Sequence, residues 1–161
     1  MWTENIRLKY LVFCLLGYFQ IVAGQRIPEE NFLRGLAMLQ QEKYDSALIS
    51  FTISKGLNEK DANAWYNAGV AYFKLNNNQE ALENFQMAEK LSPGLASLMI
   101  AKTYARSLNV TKSLEYLDLH LKSMDKKPES EILTDPDLQK IEDRKEWIDF
   151  WKEKPLLYPL R

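Results

Sequence analysis

An all-α chain of antiparallel helix pairs, stacked as a short right-handed solenoid, is predicted by three observations. Gly35, Ala37, Ala47 and Phe51 recur 34 residues later as Gly69, Ala71, Ala81 and Phe85, a fixed offset that marks helix-turn-helix repeats. Within each unit the small and bulky residues fall three or four apart, the spacing of one helix face. Proline stays at unit boundaries, Pro28 and Pro93, where it starts or ends helices without breaking one.

Residues 1–24 form a separate segment. Arg7 and Lys9 precede an apolar run from Tyr10 to Val22, which is short for a bilayer span and interrupted by Gln20. Val22-Ala23-Gly24 supplies the small residues of a signal-peptidase site, predicting export and cleavage before Gln25, with an uncleaved membrane anchor as the alternative. Cleavage would leave no stable membrane span. The single cysteine, Cys14, lies in this segment, so residues 25–161 can form neither disulfides nor a thiolate metal site.

The first unit, 28–61, and the second, 62–93, share one packing logic. Gly35 or Gly69 lets the partner helix approach, and Phe51 or Phe85 fills the space opposite. Gln41-Glu42-Lys43-Tyr44-Asp45 and Asn76-Asn77-Asn78 are the expected turns between paired helices. A third unit, 94–122, repeats the order as Ala101, Tyr104, Ser113 and Leu117 at an offset of 32. The two missing residues are expected in the loop at Pro93-Gly94, where deletion is tolerated best.

Residues 123–161 form a C-terminal capping segment. Asp135 is expected to cap a helix begun by Pro136, and Trp147, Ile148, Phe150 and Trp151 crowd a second short helix. Trp147 and Trp151 share a face and either close the last repeat's apolar edge or offer an aromatic pair to a partner.

Composition excludes several classes of function. The chain of 161 residues is 46% hydrophobic with a net charge of −1 and has no basic stripe, which argues against a nucleic-acid partner. His120 is the only histidine, so multi-histidine metal sites and Cys-His pairs are ruled out, and it falls where a packing residue belongs. Asp135 and Asp137 lack the glycine turn and ligand series of a calcium loop. No cofactor, metal or catalytic constellation is predicted. The chain is not expected to be an enzyme.

Trp65-Tyr66-Asn67-Ala68-Gly69, Tyr72, Gln79-Glu80-Ala81-Leu82, Phe85, Ala88 and Ser92-Pro93 resemble the tetratricopeptide repeat family. The first unit keeps Gly35, Tyr44, Ala47 and Phe51, with Asn31 replacing the tryptophan and Glu59 the proline. Ile132-Leu133-Thr134-Asp135-Pro136-Asp137-Leu138 resembles a tail that often follows such arrays. The resemblance implies a concave groove, lined by the first helix of each unit, that holds a protein or peptide partner. Carried over by position, that groove comprises Phe32 and Leu36; Tyr66, Asn67, Val70, Phe73 and Lys74; and Lys102 and Arg106. Tyr66 and Phe73 beside Lys74, Lys102 and Arg106 would suit a peptide with apolar anchors and an acidic flank. The family's carboxylate clamp is not expected, because only Asn67 agrees while Phe32, Leu36, Leu95 and Met99 occupy its other positions. The function implied is an exported, non-catalytic adaptor in the cell envelope, periplasm or medium. The alternative is the accessory N-terminal part of an exported enzyme whose catalytic domain lies elsewhere.

Overall fold

The computed structural model describes residues 28–123 and 127–154, and every regular element among them is helical. The expected signal segment and residues 155–161 lie outside the described residues. The chain divides into two compact units, with the boundary between Glu59 and Lys60.

The first unit pairs α1, over 28–40, with α2, Tyr44–Leu57. Phe51 is fully buried, and a Cβ placed on Gly35 would lie 2.5 Å from its ring. Only glycine allows this approach. Phe32 covers the same ring, with centroids 5.9 Å apart. The Ser54 hydroxyl donates to the Pro28 carbonyl at 3.1 Å, tying the end of α2 to the start of α1. The opposite side of α2 exposes Ile49, Ile53 and Leu57.

The second unit runs through α3 (Ala62–Lys74), α4 (Asn78–Leu91), α5 (Ser97–Arg106) and α6 (Val110–Lys122). Short α7 (Glu129–Leu133), a 3₁₀ turn (Gln139–Ile141) and α8 (Lys145–Lys152) follow. Consecutive helices from α3 to α6 pack on one another, and α8 returns to α6. Gly69 meets Phe85 as Gly35 meets Phe51, with an added Cβ 2.6 Å from the ring.

Every turn inside a helix pair is built the same way. Glu42, Asn76 and Leu108 adopt left-handed backbone, with φ of 58°, 61° and 56°. The amide after each reaches back five residues: Lys43 to Met38, Asn77 to Tyr72 and Asn109 to Tyr104, at 2.9, 3.0 and 2.9 Å. This bonding satisfies carbonyls left open at a helix end and reverses the chain. The offsets between these turns are again 34 and 32 residues.

The two-residue deletion in the third unit is not taken from the loop. Four residues separate α2 from α3 and five separate α4 from α5, while α5 has 10 residues against 13 in α3. The lost residues come from the first turn of α5. Asp61 caps α3 by accepting the amides of Asn63 and Ala64. The start of α5 is held instead by Glu89 from α4, whose carboxylate accepts the Gly94 and Ala96 amides and the Ser97 hydroxyl at 2.7–2.8 Å. Serine at 113, in the alanine position, is buried and donates to the Ala101 carbonyl across the α5–α6 crossing at 2.9 Å.

The C-terminal segment closes the unit. Ile132, Leu138, Ile141, Trp147 and Trp151 join Ala101, Ala105 and Leu117 in one buried cluster. Asp135 does cap, through the amides of Asp137 and Leu138 at 3.0 and 3.4 Å. Pro136, however, begins a turn leading into the 3₁₀ element rather than the expected α-helix. The carboxylates on either side of the proline are drawn elsewhere.

Candidate functional site

A cavity of about 350 Å³ opens on the face of the second unit where α3 and α5 lie side by side. Tyr66 comes from α3; Leu98, Met99 and Lys102 come from α5, with Gly94 and Leu95 just before it. His120 lines it from α6, and Lys127, Glu131, Ile132 and Asp135 add a further wall. Leucine, methionine and isoleucine give the cavity an apolar body.

Its polar side chains are Tyr66, Lys102, His120, Lys127, Glu131 and Asp135. Tyr66 packs on Phe85 with centroids 5.7 Å apart, and burial raises the pKa of its phenol, so the hydroxyl stays protonated at neutral pH. Lys102 is bound to Asp135 at 2.8 Å, with the two side chains only 17% and 19% exposed. Lys127 pairs with Glu131 at 2.9 Å, but both are more than half exposed. An exposed pair of that kind holds weakly and exchanges partners readily. His120 is buried, and its Nε2 accepts the Lys127 amide at 2.9 Å. Desolvation and then the nearby Lys127 ammonium lower its pKa, opposed by Glu89, so the ring is neutral.

The expected groove residues divide into groups. Tyr66 and Lys102 line the cavity. Val70 packs half-buried beside it on the core, and the Asn67 amide donates to the Asn63 carbonyl of its own helix at 2.8 Å. Lys74 is exposed. Phe73 is buried, with the Arg106 guanidinium 3.4 Å above its ring centre. Arg106 also donates to the Phe73 carbonyl at 2.7 Å and to both carboxylate oxygens of Asp137 at 2.6 and 3.2 Å. Phe32 and Leu36 are half-buried in the first unit. Sequence reasoning missed His120, Lys127, Glu131, Ile132 and Asp135 as cavity walls. One signal pointed to them: two aspartates flanking Pro136 match two cations spaced one helical turn apart, Lys102 and Arg106.

Among the described residues no three histidine, cysteine or carboxylate side chains converge as a metal site. No helix of the described residues is long and apolar enough to cross a membrane.

This architecture, antiparallel pairs with a glycine-phenylalanine contact at each described crossing of the first two pairs, defines a helical-repeat protein. Residues 62–95 match the tetratricopeptide repeat family. The chain is also similar to anaphase-promoting complex subunit 3 of Schizosaccharomyces pombe, with 31% identity over 88 residues. That alignment takes in 53% of this chain and 13% of the yeast protein.

Proposed function

We propose that this chain is a non-catalytic docking scaffold whose cavity between α3, α5 and α7 seats an apolar side chain of a protein partner, flanked by a carboxylate. The carrying observation is the cavity itself, in which Leu95, Leu98, Met99 and Ile132 lie beside the charged side chains of Lys102, Lys127, Glu131 and Asp135. The tetratricopeptide repeat at 62–95 and the similarity to a subunit of a protein complex support a protein partner. The carboxylate would address Lys127, because the pair of Lys127 with Glu131 is exposed and cheap to exchange, whereas the ion pairs of Lys102 and Arg106 are shielded from water. The partner's acidic flank is thus drawn toward α7 rather than along α5.

The test is selection of a displayed random decapeptide library on the purified protein. Enriched peptides should carry a leucine, methionine or aromatic residue next to aspartate or glutamate. They should lose binding to Met99→Trp, which fills the cavity, and weaken severalfold toward Lys127→Glu. Peptides that bind Met99→Trp as well as wild type would overturn the assignment.

The scaffold is proposed to act outside the cytoplasm, on the strength of the Arg7 to Gly24 pattern. Intact mass of protein from the producing organism should begin at Gln25. A mass that retains residues 1–24 would overturn export with cleavage.

A further inference from the structure

We propose that the cavity carries a proton-operated latch, in which neutral His120 holds the start of the 127–135 wall by accepting the Lys127 amide and its protonation lets that end open. The inference rests on the docking reading for its consequence. Its mechanism rests on the geometry of the second unit alone.

His120 sits in the last turn of α6 and is 5% exposed. Only a neutral imidazole has a lone pair on Nε2, and that lone pair receives the Lys127 N–H at 2.9 Å. Pro128, the next residue, has no N–H to take over this contact. The α6 side of the contact is braced, because the Ser123 amide and hydroxyl both donate to the His120 carbonyl at 3.0 and 2.8 Å.

Protonation places an N–H against the Lys127 N–H, so the bond is lost and two donors face each other. It also buries a cation beside the Lys127 ammonium. Glu89 on α4 favours the charged ring, but both its oxygens are committed to Gly94, Ala96 and Ser97. The other charged or titratable groups on the cavity are Tyr66 from α3, Lys102 paired with Asp135, and Glu131 paired with Lys127. Asp135 holds Lys102, Lys127 holds Glu131, and Tyr66 stays neutral. Opening is confined to the start of the wall, since Ile132, Leu138 and Ile141 are 2%, 0% and 0% exposed and remain anchored.

A single histidine makes the test direct. Its ring resonances should titrate below the ordinary histidine value, and the Lys127 and Glu131 amide shifts should follow with the same midpoint. Protection of the 127–131 amides, corrected for intrinsic exchange, should fall about tenfold across that transition. His120→Gln keeps an acceptor that does not titrate and should hold these amides protected from about pH 7 to about pH 5. His120→Phe should leave them unprotected throughout, with helix content unchanged. Amide shifts that ignore the imidazole titration, or a transition that persists in His120→Gln, overturn the latch. These readouts need no partner, so they stand or fall apart from the peptide selection.

Discussion

Arg106 and Asp137 form a bidentate ion pair at 2.6 and 3.2 Å, with the two side chains 16% and 12% exposed. The guanidinium simultaneously stacks on Phe73 and bonds its carbonyl, so one side chain joins α3, α5 and the turn after Pro136. Lys102 repeats the arrangement one turn earlier, held by Asp135 and lying 5.7 Å from the Phe73 ring centre. The acidic group that the α5 cations attract is therefore supplied by the chain itself. Positive charge on this face is left to Lys127 at the cavity and to Lys74.

Removing one partner of the shielded pair should be costly. Asp137→Ala strands the Arg106 guanidinium and should lower stability by about 3 kcal/mol, because an unpaired buried charge keeps its desolvation penalty. The double variant Arg106→Met with Asp137→Ala should lose less than the sum of the two single changes. Urea denaturation of the four proteins measures the coupling. Additive losses would mean that the two residues act independently.

The two repeat units best matched to one another were legible because their constraint is steric and local. Gly69 beside Phe85 and the Trp65-to-Pro93 spacing survive in one dimension, and so does the left-handed turn at Asn76. The third unit was legible in register but not in detail. Glu89 substitutes for the missing first turn of α5 through contacts five to eight residues away, a pairing that periodicity does not mark. The candidate site was the least legible part. Tyr66 and Lys102 follow from repeat position, but the further wall depends on where a 30-residue-distant segment folds back, as in the Arg106 to Asp137 separation of 31. Charge complementarity between the two aspartates and the α5 cations was the readable clue, and it identifies a contact only once both segments are considered together.

Two glycines at helical positions should respond in opposite directions to the same substitution. Gly69→Ala places a methyl 2.6 Å from the Phe85 ring, so the ring must shift in a packed core. Overpacking should outweigh the helix-propensity gain, with a net loss of about 1–3 kcal/mol. Gly56, near the end of α2, has nothing within 4 Å of an added Cβ. Gly56→Ala should raise stability by about 0.5–1 kcal/mol. Thermal melts followed by circular dichroism check both signs, and a stabilised Gly69→Ala would place that glycine away from the crossing.

Leu108 carries backbone strain that its counterpart Asn76 avoids. It holds a φ of 56° and is 54% exposed, so it sits in a left-handed conformation with little buried packing in return. Leu108→Asn should stabilise the protein by about 0.5–1 kcal/mol and Leu108→Gly by a similar amount. Leu108→Val should do the reverse, since β-branching disfavours this region further. A thermal midpoint that falls for Asn and Gly would show that the leucine side chain contributes more than its conformation costs.

Acid should loosen the junction between α6 and α8 through Asp118. Hydrogen bonds from Lys122 and then Lys154 hold the Asp118 carboxyl below its ordinary range, and Lys154, just past the end of α8, reaches it across that junction. A carboxyl whose folded pKa is depressed adds stability above its unfolded value. That contribution is lost as the pH falls through the lower folded value, because the unfolded chain then binds the proton more readily. Stability of the wild type should therefore decline more steeply below about pH 4 than that of Asp118→Asn. Lys154→Met should recover part of the flatter profile while leaving the Lys122 pair in place. Urea midpoints recorded from neutral pH down through this window test the sign, and parallel curves for wild type and Asp118→Asn would remove the carboxylate from any role in joining α8 to the repeats.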